Sequence, residues 1–452
     1  GIELWENGRL GYHPDTNPAP ATVTLTINHL TQHIAEEELA ASCREYEAKA
    51  GTVTVLDVRS GEVLAMASWP TYDPNTPAVS LDTASRANLR NRTITDMFEP
   101  GSIFKIFIAA ALIERQALDP NRHYFCAGSI TRAGRTIMCT HNHGDQTFAD
   151  VLANSCNVGM VEAVEGIKPE DLYKVLRDFG FGLPTAVELP GEAGGMLHRP
   201  AQWSGQSRHS LSFGYEVAVT PMQMACAAAA IANGGMLLQP HLVRTVTTRD
   251  GTVLYRGARH EVRRVVSYQT TRTLLQMMRG VIERGTGKSA AIAGFSVAGK
   301  TGTARLPNHE TGGYYEGRYI GSFIGVAPAD DPRLAILVSI TDPNAAKGYY
   351  GAMVAGPVFQ RVAKRILAQL GINPLTTLDQ QLKPVTGPRR ETKYDQQPGI
   401  MPDLKGLSLA EVTRLLGSDF PRARLEGSGL VVEQRPAPGA SRWDGELYVR
   451  LQ

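Results

Sequence analysis

Three short stretches carry residues that can do chemistry together. The first is Glu99-Pro100-Gly101-Ser102-Ile103-Phe104-Lys105, which leads into an apolar run ending near Glu114. Proline and glycine punctuate the approach, so the spacing predicts a helix starting near Ser102. Residues three apart share a helix face, which sets the Ser102 hydroxyl beside the Lys105 amine. In apolar surroundings a lysine gives up its proton more readily and can take one from a serine, making a nucleophile and its base. An isolated Ser-x-x-Lys is more often a capping serine and a lysine whose amine reaches back to water. Its partners must decide. Ser155-Cys156-Asn157 offers a hydroxyl to relay a proton and an amide to hold a peptide or Lys105, if the segment is an extended loop between helices. Lys300-Thr301-Gly302-Thr303 reads as an edge strand on which Thr301 and Thr303 share a face. Two hydroxyls and a positive charge suit a carboxylate, and Gly302 leaves room for a substrate backbone. Alone, each of these is an ordinary turn or strand end. Together they supply the base, the proton relay and the anion grip that a serine nucleophile needs.

The elements that must position them are legible in outline. An amphipathic helix over 30–49 precedes a hairpin whose strands are 52–56 and 63–67, which suggests the middle of an antiparallel sheet. Helical patterns follow over 103–118, 148–164, 172–179, 220–233 and 271–282, the fourth closed by Gly234-Gly235. A second hairpin, 320–327 with 334–340, precedes a closing helix over 354–370. This order predicts the α+β class: an antiparallel sheet between helices, with an all-helical lobe inserted. Residues 1–20 read as the polar end of something upstream. Residues 373–399 are a linker poor in apolar side chains. A unit of about 50 residues, 400–452, follows, near the lower limit for independent folding.

Composition bounds the function. The chain has 452 residues, 42% hydrophobic and 20% charged, as in a globular protein with roughly two to four domains. A net charge of +2 without a basic block gives no sign of a nucleic-acid partner. The apolar run over 222–232 is too short to span a bilayer. There is no signal peptide, and the first residue is glycine, so an anchor upstream is expected to have been removed. Five cysteines are no disulfide scaffold. Cys126 and Cys139 flank a segment able to form a hairpin. A disulfide there would contribute roughly 3 kcal/mol, and two free thiols remain the other reading. Cys139, His141 and His143 match no standard zinc spacing, so no metal is expected.

The trio Ser102-x-x-Lys105, Ser155-x-Asn157 and Lys300-Thr301-Gly302 is, in that order, the signature of serine β-lactamases and penicillin-binding proteins. The flanking text resembles the class B penicillin-binding proteins, of division or sporulation type. It includes Asn91-Arg92, Phe213-Gly214-Tyr215, Thr220-Pro221-x-Gln223, Ser322-Phe323-x-Gly325 and Ala355-Gly356-Pro357-Val358-Phe359. The resemblance covers about 21–372, with 1–20 resembling the end of a pedestal region. Residues 400–452, with Met401-Pro402-Asp403-Leu404, Gly427-Ser428-Gly429 and Pro438-Gly439, resemble a PASTA module.

The resemblance implies the penicilloyl-serine transferase fold, with a five-stranded antiparallel sheet, and a D,D-transpeptidase that cross-links peptidoglycan stem peptides and is acylated by β-lactams. Ser102 would be acylated, Lys105 would be the base, Ser155 the relay and Asn157 the positioning amide. Lys300, Thr301 and Thr303 would hold the terminal carboxylate, and the backbone N–H groups of Ser102 and Thr303 would form the oxyanion hole. No cofactor is implied. Membrane glycosyltransferase and divisome partners, an N-terminal anchor and an extracytoplasmic location are. In sporulation-type relatives a cysteine pair in the region of Cys126 and Cys139 looks redox-relevant. A D,D-carboxypeptidase or β-lactamase, or a non-enzymatic penicillin sensor, would share the same trio.

Overall fold

The alternating apolar residues of the first hairpin set the centre of the molecule. Strand β1 (Ala50–Asp57) pairs antiparallel with β2 (Val63–Trp69), Val53 opposite Ala67. Three later strands, β3 (Ala298–Pro307), β4 (Tyr314–Ala327) and β5 (Leu334–Thr341), complete a five-stranded antiparallel sheet in the order β3-β4-β5-β1-β2. The first hairpin therefore ends at an edge, β2, and not in the middle of the sheet. Two edges result, and the Lys300–Thr303 segment lies on the other one. The computed structural model describes residues 3–6, 9–12, 21–73, 75, 82–119, 121–308, 310–374, 399–407, 409–416, 423–427, 430–441 and 447–452. They fall into two compact units, Gly1–Leu375 and Thr376–Gln452.

The helices of the first unit that matter here are α1 (His29–Glu45), α2 (Lys105–Glu114), α3 (Phe148–Ala153), α4 (Asn157–Val164), α5 (Pro221–Ala232), α6 (Tyr268–Glu283) and α7 (Gly356–Gln369). Successive side chains of a strand point to opposite faces, and each face of the sheet has its own cover. Val53, Val55, Ile336, Val338 and Phe323 pack with α1 and α7. Leu56, Leu337, Ile324 and Val326 join a larger core that contains α2 and α5. This is why β5 is buried along nearly its whole length. Helix α5 lies against β5 and β1. Its start is fixed by a reciprocal cap between Thr220 and Gln223, with Pro221 in the first turn.

One expected helix is broken: the pattern over 148–164 becomes α3 and α4 with a turn between them, while the closing helix expected over 354–370 is α7, preceded by a short helix, Gly351–Val354. Within the stretch expected as a polar tail, Glu3–Glu6 pairs antiparallel with Arg9–Tyr12.

In the second unit, helix α8 (Leu409–Leu416) accompanies strands β6 (Arg424–Gly427), β7 (Val431–Arg435) and β8 (Tyr448–Leu451). The strand order is β6-β8-β7, with β6 and β8 parallel. Met401, Leu404, Val412, Val431 and Val449 form its core. The buried Gln434 amide ties it to the preceding chain: its oxygen accepts from Leu404 N–H at 2.7 Å and its nitrogen donates to Pro402 O at 2.9 Å. Most of the expected linker and the Ser428-Gly429 pair lie outside the described residues. Among those described, no helix is long and apolar enough to cross a membrane.

Candidate active site

The first motif opens a helix in two steps. Gly101–Phe104 makes a 3-10 turn, and α2 continues from Lys105, whose N–H donates to the carbonyl of Ser102. Apart from Lys105, the residues of α2 through Leu112 are apolar and buried. Lys105 is itself fully buried. Its amine therefore needs internal partners, and the second motif provides them. Nζ donates to Ser155 O at 2.6 Å and to Asn157 Oδ1 at 2.7 Å, and it lies 3.3 Å from Ser155 Oγ. Burial pushes the amine down to about 8, outweighing the pull of the nearby Cys139 and Cys156 toward the charged form.

The second motif is a tight turn between α3 and α4, not an extended loop. Ser155 has φ +57°, a left-handed conformation unfavourable for a residue other than glycine. The turn points the Ser155 carbonyl at Lys105. Asn157 is bound at both ends of its amide, because Nδ2 also donates to Met138 O at 2.8 Å. The Cys156 side chain is buried, away from the cleft.

The third motif runs along β3, paired among the described residues only with β4. Thr301 Oγ1 lies 2.7 Å from Thr286 Oγ1, and Thr303 Oγ1 accepts from Gly351 N–H at 3.1 Å. Gly302 corrects an expectation. A Cβ there would lie 2.9 Å from Ile103 Cγ2 and 3.2 Å from Pro100 O. The missing side chain makes room for the turn that carries Ser102, not for a substrate backbone. Lys300 is fully buried and donates to Thr301 O at 3.0 Å. Burial first, and the Lys105 charge second, hold its amine well below the usual lysine range.

Ser102, Ser155, Asn157, Thr301, Gly302 and Thr303 line one cavity of about 440 Å³. A second, of about 300 Å³, shares Ser102, Asn157 and Thr303 and is walled by Arg135, Phe213, Tyr215, Arg305 and Tyr314. Ser102 thus stands where two arms of a cleft meet. Lys105 and Lys300 are not among the residues lining either arm. A larger cavity, about 740 Å³, runs along α6 and holds no motif residue. The N–H of Ser102 belongs to a first helical turn, where backbone donors lack intrahelical acceptors.

Sequence reasoning did not find the second arm. Its aromatic and arginine residues sit in separate segments with no shared spacing. Tyr314 donates to Glu99 Oε2 at 2.7 Å, and Glu216 N–H donates to Glu99 Oε1 at 3.0 Å, so the residue that opens the first motif also braces this wall.

Of the two readings open for Cys126 and Cys139, the structure has the free thiols. All five are free thiols, and no disulfide joins Cys126 to Cys139. The strand Tyr124–Cys126 pairs with Gly144–Gln146, which sets Cys126 Sγ 3.4 Å from His143 Nδ1. The hairpin Ser129–Arg132 with Arg135–Met138 carries Cys139 to the start of α4, 3.7 Å from Cys156 Sγ.

The penicillin binding protein transpeptidase domain matches residues 51–364. Penicillin-binding protein PbpB of Mycolicibacterium smegmatis is 37% identical over 358 residues, 77% of this chain and 54% of that protein. Stage V sporulation protein D of Bacillus subtilis is 32% identical over 428 residues, 93% of this chain and 64% of that one. A probable peptidoglycan D,D-transpeptidase, PenA of Neisseria flavescens, is 34% identical, with 78% of this chain and 84% of PenA covered. The chain thus spans between half and two thirds of the length of the first two relatives. Among solved structures, penicillin binding protein 3 of Mycobacterium tuberculosis complexed with aztreonam is 33% identical with a TM-score of 0.73, covering 79% of this chain and 80% of that one.

Proposed function

The chain belongs to the class B penicillin-binding proteins, and from that premise we propose that residues 21–372 are a serine D,D-transpeptidase domain that cross-links peptidoglycan stem peptides. The observation that carries the reading is the Lys105 amine, which is dry, easily deprotonated and held by Ser155 and Asn157 one turn from Ser102. Neutral Lys105 takes the Ser102 proton as Oγ attacks the penultimate D-Ala carbonyl. The N–H groups of Ser102 and Thr303 receive the oxyanion. The proton passes through Ser155 Oγ to the departing D-Ala amine as the C–N bond breaks, leaving an ester on Ser102. An amine of a second stem peptide then attacks that ester, its proton returns through Lys105 to Ser102 Oγ, and the cross-link is made.

The two arms suit a donor and an acceptor strand. Thr301 and Thr303 face the donor's terminal carboxylate. Lys300, fully buried on the same strand, has its charged form favoured when that anion arrives and helps to neutralise it. A β-lactam carboxylate takes the same place. The reaction needs no cofactor and faces the outside of the cell membrane, with an anchor, a glycosyltransferase and divisome partners in the whole protein. Residues 400–452 form a PASTA module, and 373–399 link it to the catalytic domain. Covalent labelling by a fluorescent penicillin, lost in Ser102→Ala, tests the nucleophile. Labelling that survives the change overturns it. Release of D-Ala with formation of a new amide, and not of a free acid, separates the transpeptidase from a hydrolase.

A further inference from the structure

Between the first two motifs the chain makes an excursion, residues 127–147, with little apolar surface to hold it. Its strands Ser129–Arg132 and Arg135–Met138 are largely exposed, and the neighbouring Phe125 and Met138 are 64% and 63% exposed. Ile137, packed with Val161 and Phe213, is its buried apolar anchor. Beneath it, donors from three separate stretches converge. One atom each from Cys126, Cys139, His143 and Cys156 lies within 4.8 Å of every other.

We propose that these residues hold one zinc ion as three thiolates and a neutral imidazole, and that the ion clamps the Ser155–Asn157 turn. The expectation that the chain binds no metal is thereby replaced. The observed edges fit: 3.7 Å from Cys139 Sγ to Cys156 Sγ and 3.4 Å from Cys126 Sγ to His143 Nδ1. A tetrahedron with Zn–S of about 2.3 Å and Zn–N of about 2.0–2.1 Å has edges of about 3.8 and 3.6 Å. The surroundings suit sulfur anions. Backbone N–H groups of Gly128, Asn157, Val158 and Gly159 donate to Cys126, Cys139, Cys139 and Cys156 at 3.4, 3.1, 3.5 and 3.3 Å. His143 Nε2 is buried without a hydrogen-bond partner among the described residues. Its Nδ1 faces the Cys126 thiol, and the His141 ring packs beside it with centroids 4.3 Å apart.

Three sulfurs and one imidazole in tetrahedral array select zinc among the common divalent metals, and four protein ligands leave no open position, so the ion is structural. On binding, the three thiol protons leave to solvent and the site keeps one net negative charge. Cys156 lies between Ser155 and Asn157. Cys139 follows Met138, whose carbonyl receives the Asn157 amide. The ion therefore fixes the turn that orients Lys105. Only this last step rests on the acyl-enzyme reading.

The test uses the whole chain, purified anaerobically under reductant. Elemental analysis should find one zinc per chain. An organomercurial should release it as three thiols react, and replacement by Co²⁺ should give tetrahedral thiolate bands. Cys126→Ser and His143→Ala should lose the metal, while Cys43→Ser and Cys226→Ser, buried elsewhere, should keep it. Should the ligand variants fail to fold, zinc release from the unaltered chain still decides. A reduced chain that carries no zinc and takes up none when it is added overturns the site, as does a Cys139–Cys156 disulfide in anaerobically prepared protein. Zinc removal should slow penicillin acylation about a hundredfold, the scale of a misplaced catalytic group. Unchanged acylation after removal overturns the clamp. Full zinc with no acylation of Ser102 overturns the acyl-enzyme reading instead.

Discussion

Asn157 accepts a hydrogen bond from the fully buried Lys105 amine across 2.7 Å, and the Ser155 carbonyl shares that amine at 2.6 Å. A neutral acceptor satisfies the amine without favouring its charged form as a carboxylate would. Asn157→Asp keeps the shape and adds the charge. The Lys105 proton should then be held more tightly, and the rise of acylation with pH should move above about 8. At neutral pH the rate should fall roughly tenfold per unit of that movement, and it should approach the unaltered rate at high pH. Rates of fluorescent-penicillin acylation across pH read this directly, and an unmoved profile would show that Asn157 does not set the base.

The unaltered protein carries its own pH prediction. The base must be neutral to accept the Ser102 proton. With the amine held down to about 8, Lys105 is mostly charged below that pH and mostly neutral above it. Acylation should rise with pH through about 8 and then level off. Lys105→Arg, charged at every accessible pH, should lose about 10²–10⁴-fold and show no such rise.

Residue types told more about this site than about its supports. The trio was legible because each motif brings its own chemistry, whatever its backbone does. The turn at Ser155 was not: the apolar spacing over 148–164 suits one continuous helix, and only Lys105, fifty residues away, rewards the strained φ of Ser155. The four zinc donors were hidden for a similar reason. Twelve residues separate Cys126 from Cys139 and His143 from Cys156, and only the folded hairpin brings them together. The Gly302 reading named the right residue and the wrong neighbour, since alternation along a strand gives a face but not what covers it.

Gly302→Ala follows from that correction. The new Cβ would meet Ile103 at 2.9 Å and backbone of the nucleophile turn at 3.1 and 3.2 Å. Either β3 or the turn must give, at about 1–3 kcal/mol. The melting temperature should fall and acylation should fall with it, for substrates with and without a carboxylate alike. A variant that melts like the unaltered chain yet no longer binds peptide would instead place the glycine against substrate.

Thr301 allows a sharper separation of binding from attack. Its hydroxyl lies on the cleft wall 2.7 Å from the hydroxyl of Thr286, which lines the same cleft, so the pair can turn one proton toward an arriving anion. Thr301→Val keeps the shape and deletes that donor. A hydrogen bond to a charged group is worth about 1.5–3 kcal/mol, so acylation by donors with a free terminal carboxylate should slow about ten- to a hundredfold. Donors with an amidated terminus, which never offered the anion, should react with the variant and the unaltered chain at the same rate. Equal losses for both donors would mean that Thr301 shapes the oxyanion hole or the strand, and the carboxylate grip would then have to be sought at Thr303 alone.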